Sequence, residues 1–326
     1  MSTKKNVALV GAGQIGRRHL QSLFNLESEI SIDVIDPASH SLEMAKVDFD
    51  SLSSERMVRF FQSIQEIDEQ YDFAIFATGA AVRLATFRDF SERSLAKAIL
   101  FEKVLFQSVA QINIANELLL KVSGRAWVNC PRRMYEVYRM LKQRIGHSDV
   151  IDMVVDGVGW GLACNSIHFI DLWSYLIGST EYSLDVSDLI PKVFESKRPG
   201  YKEIFGVMQA RSGSHSLKLS CSDAEHQPFA LIRISTDALD IKISERDGVM
   251  AIMDKNGREL EKISFRTPYQ SELTARFIEG VRHDGVSDLT RFEDSALLHK
   301  VFLEALLTHF QRYGDVSRDN DICPIT

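Results

Sequence analysis

The stretch Val7-Ala-Leu-Val10-Gly11-Ala-Gly13-Gln14-Ile15-Gly16 decides how this chain folds. Four apolar residues in a row read as a buried strand. Glycines at 11, 13 and 16 follow in a G-x-G-x-x-G pattern, and Ile15, Leu20, Leu23 and Phe24 then recur at helical spacing. Strand, glycine turn and helix in that order make a cradle for a diphosphate. Gly11 permits the tight turn, Gly13 lets the ligand approach the backbone, and Gly16 lets the helix pack close to the strand. The helix N-terminus, opening at Gln14 and Ile15, presents free N–H groups and the positive end of its dipole. A second strand, Ser31–Asp36, ends in a carboxylate about 20 residues past Gly16. A carboxylate there accepts hydrogen bonds from the adenosine ribose hydroxyls and repels a 2′-phosphate, so the spacing predicts NAD in preference to NADP. A structural turn with a surface aspartate has the same letters. The agreement of strand, turn, helix and acid favours the dinucleotide.

Outward from this stretch, short apolar runs alternate with helical patterns. Tyr71–Ala77 and Lys97–Phe101 read as further buried strands, and Ser39–Lys46 and Ser108–Lys121 as helices. Repeated strand–helix–strand implies a doubly wound parallel sheet with right-handed crossovers. The pattern changes near Gly124. Beyond it Pro131–Gly146, Ser166–Leu176, Pro268–Val281 and Phe292–Tyr313 read as helices. Five runs between Glu203 and Met253, punctuated by Gly, Asp and Ser, read as antiparallel strands. The expected division is a dinucleotide-binding domain over residues 1–124 and a second α/β domain over residues 125–326.

Ligands of open parallel sheets sit beyond the carboxyl ends of the strands. Thr78 and Gly79 follow one such strand, and Glu102 and Lys103 follow another. Thr78-Gly79 is equally readable as an ordinary turn, and Lys103 as a solvated strand end. At the cleft, Lys103 can donate a hydrogen bond to a substrate oxygen and move a proton. His168, in Asn165-Ser-Ile-His168-Phe-Ile-Asp171, can act as a general acid or base or simply pack in a helix. Asp171, three residues on, could orient the imidazole or simply bond nearby backbone, and spacing alone does not choose. The other histidines form no H-x-x-x-H or H-E-x-x-H pair, so no metal site is expected.

These residues together resemble the Gfo/Idh/MocA oxidoreductases, the group of glucose–fructose oxidoreductase and inositol dehydrogenase. The opening through His19 is similar. So is Glu102-Lys103-Val104, where the family has Glu-Lys-Pro, and so are Ile167-His168-Phe-Ile-Asp171-Leu172 and the helix Ser271–Val281. The resemblance implies a Rossmann domain, a C-terminal α/β domain with a large open, mostly antiparallel mixed sheet, and a homodimer or homotetramer formed through that sheet. It places Lys103 beside nicotinamide and substrate, and His168 against the substrate. The chain departs from the pattern at Val104, at Gly79, at Arg83 where a histidine often occurs, and at Cys164 where an aspartate often stands. Arg132 and Arg133, with Asn165, are candidate substrate contacts, and an Arg pair suits a carboxylate or phosphate. A solvated basic helix start reads the same way.

Composition agrees with a soluble globular protein. Of 326 residues, 45% are apolar and 25% charged, which excludes a disordered chain. The 45 acidic against 38 basic side chains leave a net charge of −7, no footprint for nucleic acid. No apolar run reaches membrane-spanning length. Cys130, Cys164, Cys221 and Cys323 lack C-x-x-C spacing and read as free thiols of a cytoplasmic protein. The expected activity is hydride transfer between NAD and a secondary alcohol or ketone of a sugar-like substrate: a sugar, inositol, sugar acid or nucleotide sugar. The alternatives are a dinucleotide-binding regulator without catalysis, and an enzyme that uses tightly held NAD transiently in epimerisation or elimination.

Overall fold

The structure, a computed structural model, describes residues 5–51, 56–67, 69–122, 125–223, 228–314, 316–317 and 319–326. Gly124, where the sequence pattern changes, and His226, one of the histidines outside any ligand spacing, lie outside the described residues. The chain forms two compact units. The first comprises Met1–Phe106, Ala110–Asn129 and Pro268–Phe292, and the second Gln107–Val109, Cys130–Thr267 and Glu293–Thr326. The chain therefore leaves the first unit after Asn129 and returns to it for one segment late in the sequence.

The first unit is a Rossmann-type doubly wound sheet. Its elements are β1 (Lys5–Val10), α1 (Gln14–Leu23), β2 (Ile30–Ile35), α2 (Ser39–Ser51), β3 (Met57–Phe61), β4 (Gln70–Phe76), α3 (Ala80–Arg93), β5 (Leu95–Phe101), α4 (Val109–Val122) and β6 (Ala126–Val128). Six strands pair in parallel in the order β6-β5-β4-β1-β2-β3. Residues 125–129 stay with this unit because β6 is hydrogen-bonded to β5, Phe101 opposite Val128. The continuous apolar runs of β1, β4 and β5 fit a sheet covered on both faces. Behind it Phe76, Phe87, Phe90 and Phe101 form an aromatic cluster with ring centroids 5.0–5.4 Å apart. Truncating one of these rings to alanine would cost about 3–5 kcal/mol. The edge strand β3 and helix α3 are absent from the sequence reading. β3 is half-exposed, and the apolar stripe of α3 is interrupted by a buried arginine, Arg83.

The second unit contains α5 (Glu136–Ile145), β7 (Ile151–Val158), α6 (Leu162–Ile177), β8 (Ser183–Asp185), β9 (Phe194–Glu195), β10 (Lys202–Glu203), β11 (Gly206–Ser212), β12 (His215–Ser222), β13 (Phe229–Thr236), β14 (Leu239–Ser244), β15 (Val249–Asp254) and β16 (Glu259–Ser264). Eight strands form a sheet in the order β16-β15-β14-β13-β7-β12-β11-β8. It is mixed: β7 pairs parallel with β12 and antiparallel with β13, and the other pairs are antiparallel. Along β7 the side chains alternate between buried and more exposed, the mark of a sheet with one covered face. The expected helix over Pro131–Gly146 is split, because Tyr135 is extended (φ −74°, ψ 129°) between a 3₁₀ turn at Pro131–Met134 and α5. Helix α6 starts one turn before the expected Ser166. The late segment returns to the first unit as α7 (Gln270–Asp284) and β17 (Thr290–Arg291), which pairs with β6, and α8 (Phe292–Tyr313) follows. Helix α7 packs on α1. Among the described residues no helix is long and apolar enough to cross a membrane.

Candidate dinucleotide cradle and histidine helix

The glycine turn has the geometry its spacing predicts. Gly11 has φ 101°, a conformation side chains rarely adopt, and a Cβ there would stand 2.9 Å from the backbone of Ala77. At Gly16 an added Cβ would stand 1.9 Å from the carbonyl oxygen of Gly11, so only glycine lets α1 seat against the turn. At Gly13 a Cβ would meet nothing within 4 Å. That glycine caps α1 without a side-chain hydrogen bond, and no acidic residue stands in the first turn. The opening therefore leaves room at Gly13 and uncapped N–H donors, which fits a diphosphate. Gln14 and Ile15 flank it and are exposed. Asp36 lies directly after β2. One of its carboxylate oxygens accepts from Ala12 N–H at 2.7 Å and the other from Ala38 N–H at 2.9 Å. Each oxygen keeps a lone pair for a ribose hydroxyl.

Thr78 and Gly79 lie at the carboxyl end of β4, where Gly79 caps α3 without a side-chain bond. Glu102 and Lys103 lie at the carboxyl end of β5. The Glu102 carboxylate is buried: Oε1 receives His19 Nε2 at 2.9 Å and Asn129 Nδ2 at 2.5 Å, and Oε2 receives the Lys103 N–H at 3.2 Å. Burial opposes ionisation of this group, but the bonds from His19 and Asn129 and the charge of Arg83 outweigh it and hold the carboxyl below its ordinary range. The circuit continues. His19 Nδ1 lies 2.8 Å from Thr274 Oγ1, Gln270 Nε2 donates to Thr274 Oγ1 at 3.1 Å, and Asn129 donates to Gln270 Oε1 at 2.9 Å. With the proton of His19 on Nε2, every donor in the ring has an acceptor. Glu102, read as a cofactor contact, thus points its carboxylate into the unit and fixes the backbone of Lys103, whose side chain is half-buried.

Arg83 holds the same strand ends together. Buried to 1% exposure, its guanidinium donates to the carbonyls of Glu102 at 2.6 Å and Leu105 at 2.8 Å, and to those of Val104 and Thr78. The Lys103–Val104 peptide bond is cis. Sequence reasoning assigned no role to Arg83, Asn129, Gln270 or Thr274. For Arg83 a signal existed, since Ala80, Arg83, Phe87 and Phe90 share one helical stripe in which a charge must be buried and satisfied.

In the second unit, Asn165 and His168 lie on α6, both half-buried. Arg132 and Arg133 do not form an open anion site. Arg132 binds Glu245 through two bonds of 2.9 and 2.8 Å and lies 4.2 Å over the Phe169 ring. Arg133 binds Asp171 Oδ2 at 2.7 Å. Burial opposes the ionised form of Glu245, but Arg132 and the Tyr138 hydroxyl outweigh it and keep its pKa low. The Arg133–Asp171 pair ties the 3₁₀ turn to α6, and the Arg132–Glu245 pair ties it to the end of β14. Asp171, open in the sequence between orienting the imidazole and bonding nearby backbone, accepts from Arg133 here. Asn165 Nδ2 donates to the Trp160 carbonyl at 2.6 Å. Among the described residues no group of three His, Cys, Asp or Glu could hold a metal ion.

No protein-family profile and no curated protein sequence matches this chain. Solved structures do match in fold. UDP-N-acetylglucosamine 3-dehydrogenase from Acidithiobacillus ferrooxidans is 13% identical, over 94% of this chain and 97% of that one, with a TM-score of 0.70. The scyllo-inositol dehydrogenase of Lactobacillus casei, solved with NAD(H) and scyllo-inositol, is 15% identical over 95% and 97%, with a TM-score of 0.63. The transcriptional regulator Gal80p of Kluyveromyces lactis is 16% identical over 96% and 94%, with a TM-score of 0.69. The structural neighbours are oxidoreductases of the Gfo/Idh/MocA type together with this regulator, and the fold of the chain is theirs.

Proposed function

We propose that the protein is an NAD-dependent oxidoreductase that moves hydride between nicotinamide and a secondary alcohol or ketone of a sugar-like substrate. The observation that carries this reading is the cradle at Gly11–Gly16, open at Gly13 and flanked by the Asp36 carboxylate. Gly11, Gly13, Gln14, Ile15 and Gly16 hold the diphosphate, Asp36 the ribose, and Thr78 and Gly79 the nicotinamide half. Asp36 also makes NAD the preferred coenzyme, since a 2′-phosphate would meet its charge. When bound, the coenzyme supplies the hydride acceptor or donor. Lys103 donates a hydrogen bond to the reacting oxygen of the substrate. In oxidation His168 takes the hydroxyl proton as the carbon gives up hydride, and in reduction it returns that proton. The polyol and nucleotide-sugar names among the structural neighbours support a substrate of the same kind. The first unit binds the coenzyme, and the second binds substrate and forms a dimer or tetramer through its open sheet.

Lys103→Ala tests the assignment. Turnover should disappear while calorimetry still records NAD binding, and retained turnover would exclude the role.

A second reading is a dinucleotide-binding regulator without catalysis. The committed state of Arg132 and Arg133, the thiol at Cys164 and the fold likeness to Gal80p favour it. A panel of sugars, inositols, sugar acids and nucleotide sugars separates the two. Absorbance change of NADH with any member supports the enzyme, and none with any member, despite NAD binding, supports the regulator.

A further inference from the structure

We propose that Glu203, at the end of β10, is a further positioning residue of the His168 helix: its carboxylate caps α6 from outside the helix and holds Cys164 as a neutral hydrogen-bond donor. The proposal rests on the proton role given to His168 above.

Helix α6 begins after Gly161, whose φ of 87° turns the chain and which has no side chain to cap the helix. The first N–H groups of a helix have no partner within it. Glu203 reaches them from a strand far away in sequence. Its Oε1 accepts from Ala163 N–H at 2.5 Å and from its own neighbour Ile204 N–H at 3.0 Å, and Oε2 accepts from Cys164 Sγ at 3.4 Å. The side chain is 8% exposed, and a carboxylate buried that far is tolerated when charge-assisted bonds use its lone pairs. The turn fits closely around it, since a Cβ at Gly161 would stand 2.8 Å from Asn165 Nδ2 and 3.4 Å from Glu203 Oε2.

Cys164 and His168 are one helical turn apart and so share a face of α6. Asp171 is three residues beyond His168 but is bound to Arg133. At the start of this face it is Glu203 whose carboxylate meets the helix, through Cys164. Its effect on Cys164 has a definite sign. A cysteine in the first turn of a helix is ordinarily drawn toward thiolate by the N–H groups. A carboxylate at 3.4 Å does the reverse, because it accepts the S–H bond and repels the thiolate. The other titratable groups on the elements that pack most closely against α6 are His215, Lys218 and Cys221 of β12, Arg132 and Arg133 of the 3₁₀ turn, Lys202 of β10, and Asp152 and Asp156 of β7; Lys218 is exposed, and His215 accepts from the Ile151 N–H. Both arginines and Lys202 are bound to carboxylates, and the two aspartates lie at exposed positions of β7. Cys221 feels the same carboxylate: burial pushes its thiol up and the charge of Glu203 pushes it further.

The test needs no substrate. Cys130, Cys221 and Cys323 are buried and Cys164 is not, so iodoacetamide applied to the native full chain at pH 8 reads Cys164, with the site located by peptide mass. Glu203→Gln should raise the alkylation rate about tenfold, Glu203→Asp should keep it slow, and Cys164→Ser should abolish the label. A rate within twofold of wild type in Glu203→Gln overturns the proposal. Equally fast alkylation in the Gln and Asp variants also overturns it, because loosened packing and not charge would then be the cause. With a substrate in hand, Glu203→Gln should lower kcat about tenfold and leave KM for NAD within twofold, and an unchanged kcat removes the positioning role. A wild type that turns over nothing defeats the redox reading of His168, and the alkylation rates then still decide the matter of Glu203.

Discussion

The start of α1 and the start of α6 are the same kind of object, completed in opposite ways. Each is capped by a glycine that offers no side-chain bond, and neither has an acid in its first turn. At α1 the space beside Gly13 is empty. At α6 the carboxylate of Glu203 fills the corresponding place. An anion from outside can use the first helix start, whereas the second has its anion supplied by the protein. The difference separates a binding site from a scaffold, and it lies in whether a distant residue reaches the N–H groups, not in the helix itself.

The comparison breaks most severely at Gly16. Gly16→Val places carbon within 2 Å of the Gly11 carbonyl, where Cβ alone would stand at 1.9 Å. Neither backbone can yield without moving β1 or α1. The expected loss is about 3 kcal/mol or more of stability, with NAD binding abolished. Urea unfolding that matched wild type would show that α1 does not seat on the turn as described.

The scaffold side breaks next at Asp171. It is 1% exposed and paired with Arg133, so Asp171→Ala leaves a largely buried guanidinium without its carboxylate. Loss of one partner from such a pair costs about 3–5 kcal/mol. A variant within 0.5 kcal/mol of wild type in chemical denaturation, about the spread of neutral surface changes, would mean the pair does not hold the 3₁₀ turn to α6.

Gly13→Val sharpens the contrast. Gly13 is extended (φ −66°, ψ −169°) and its Cβ would enter open space. Stability should stay within about 0.5 kcal/mol, while the dissociation constant for NAD rises about tenfold or more, because the added methyls occupy the diphosphate's approach. Isothermal calorimetry that found wild-type affinity would place the ligand elsewhere.

The same contrast explains what the sequence discloses. The cradle is written in consecutive letters because backbone conformation and helix dipole do the binding, and Gly11, Gly16 and Asp36 each leave a local trace. The parallel sheet is legible for the same reason, through the unbroken apolar runs of β1, β4 and β5. The side-chain arrangements are not legible. Arg132 finds Glu245, Arg133 finds Asp171, and Cys164 finds Glu203 across long separations that no spacing rule encodes. An arginine pair that looks free on paper is neutralised in the fold by acids from α6 and the end of β14. Half-exposed β3 also escaped notice, because an edge strand lacks the apolar run that marks a central one.

The smallest expected effect tests the ring around Glu102. Its folded-state pKa lies below the ordinary glutamate value of about 4.3. A depressed carboxylate contributes its stability in full above the unfolded value, and that contribution disappears as pH falls through the folded one. Glu102→Gln keeps an oxygen for His19 and Asn129 but removes the charge. The variant should be less stable by about 1 kcal/mol at pH 7, and its stability should fall less steeply than wild type below about pH 4.3. Denaturant titrations from pH 7 down to about pH 3 read both quantities. Parallel pH curves for the two proteins would mean that Glu102 is not held ionised by His19 and Asn129, and the fixed backbone of Lys103 would then need another cause.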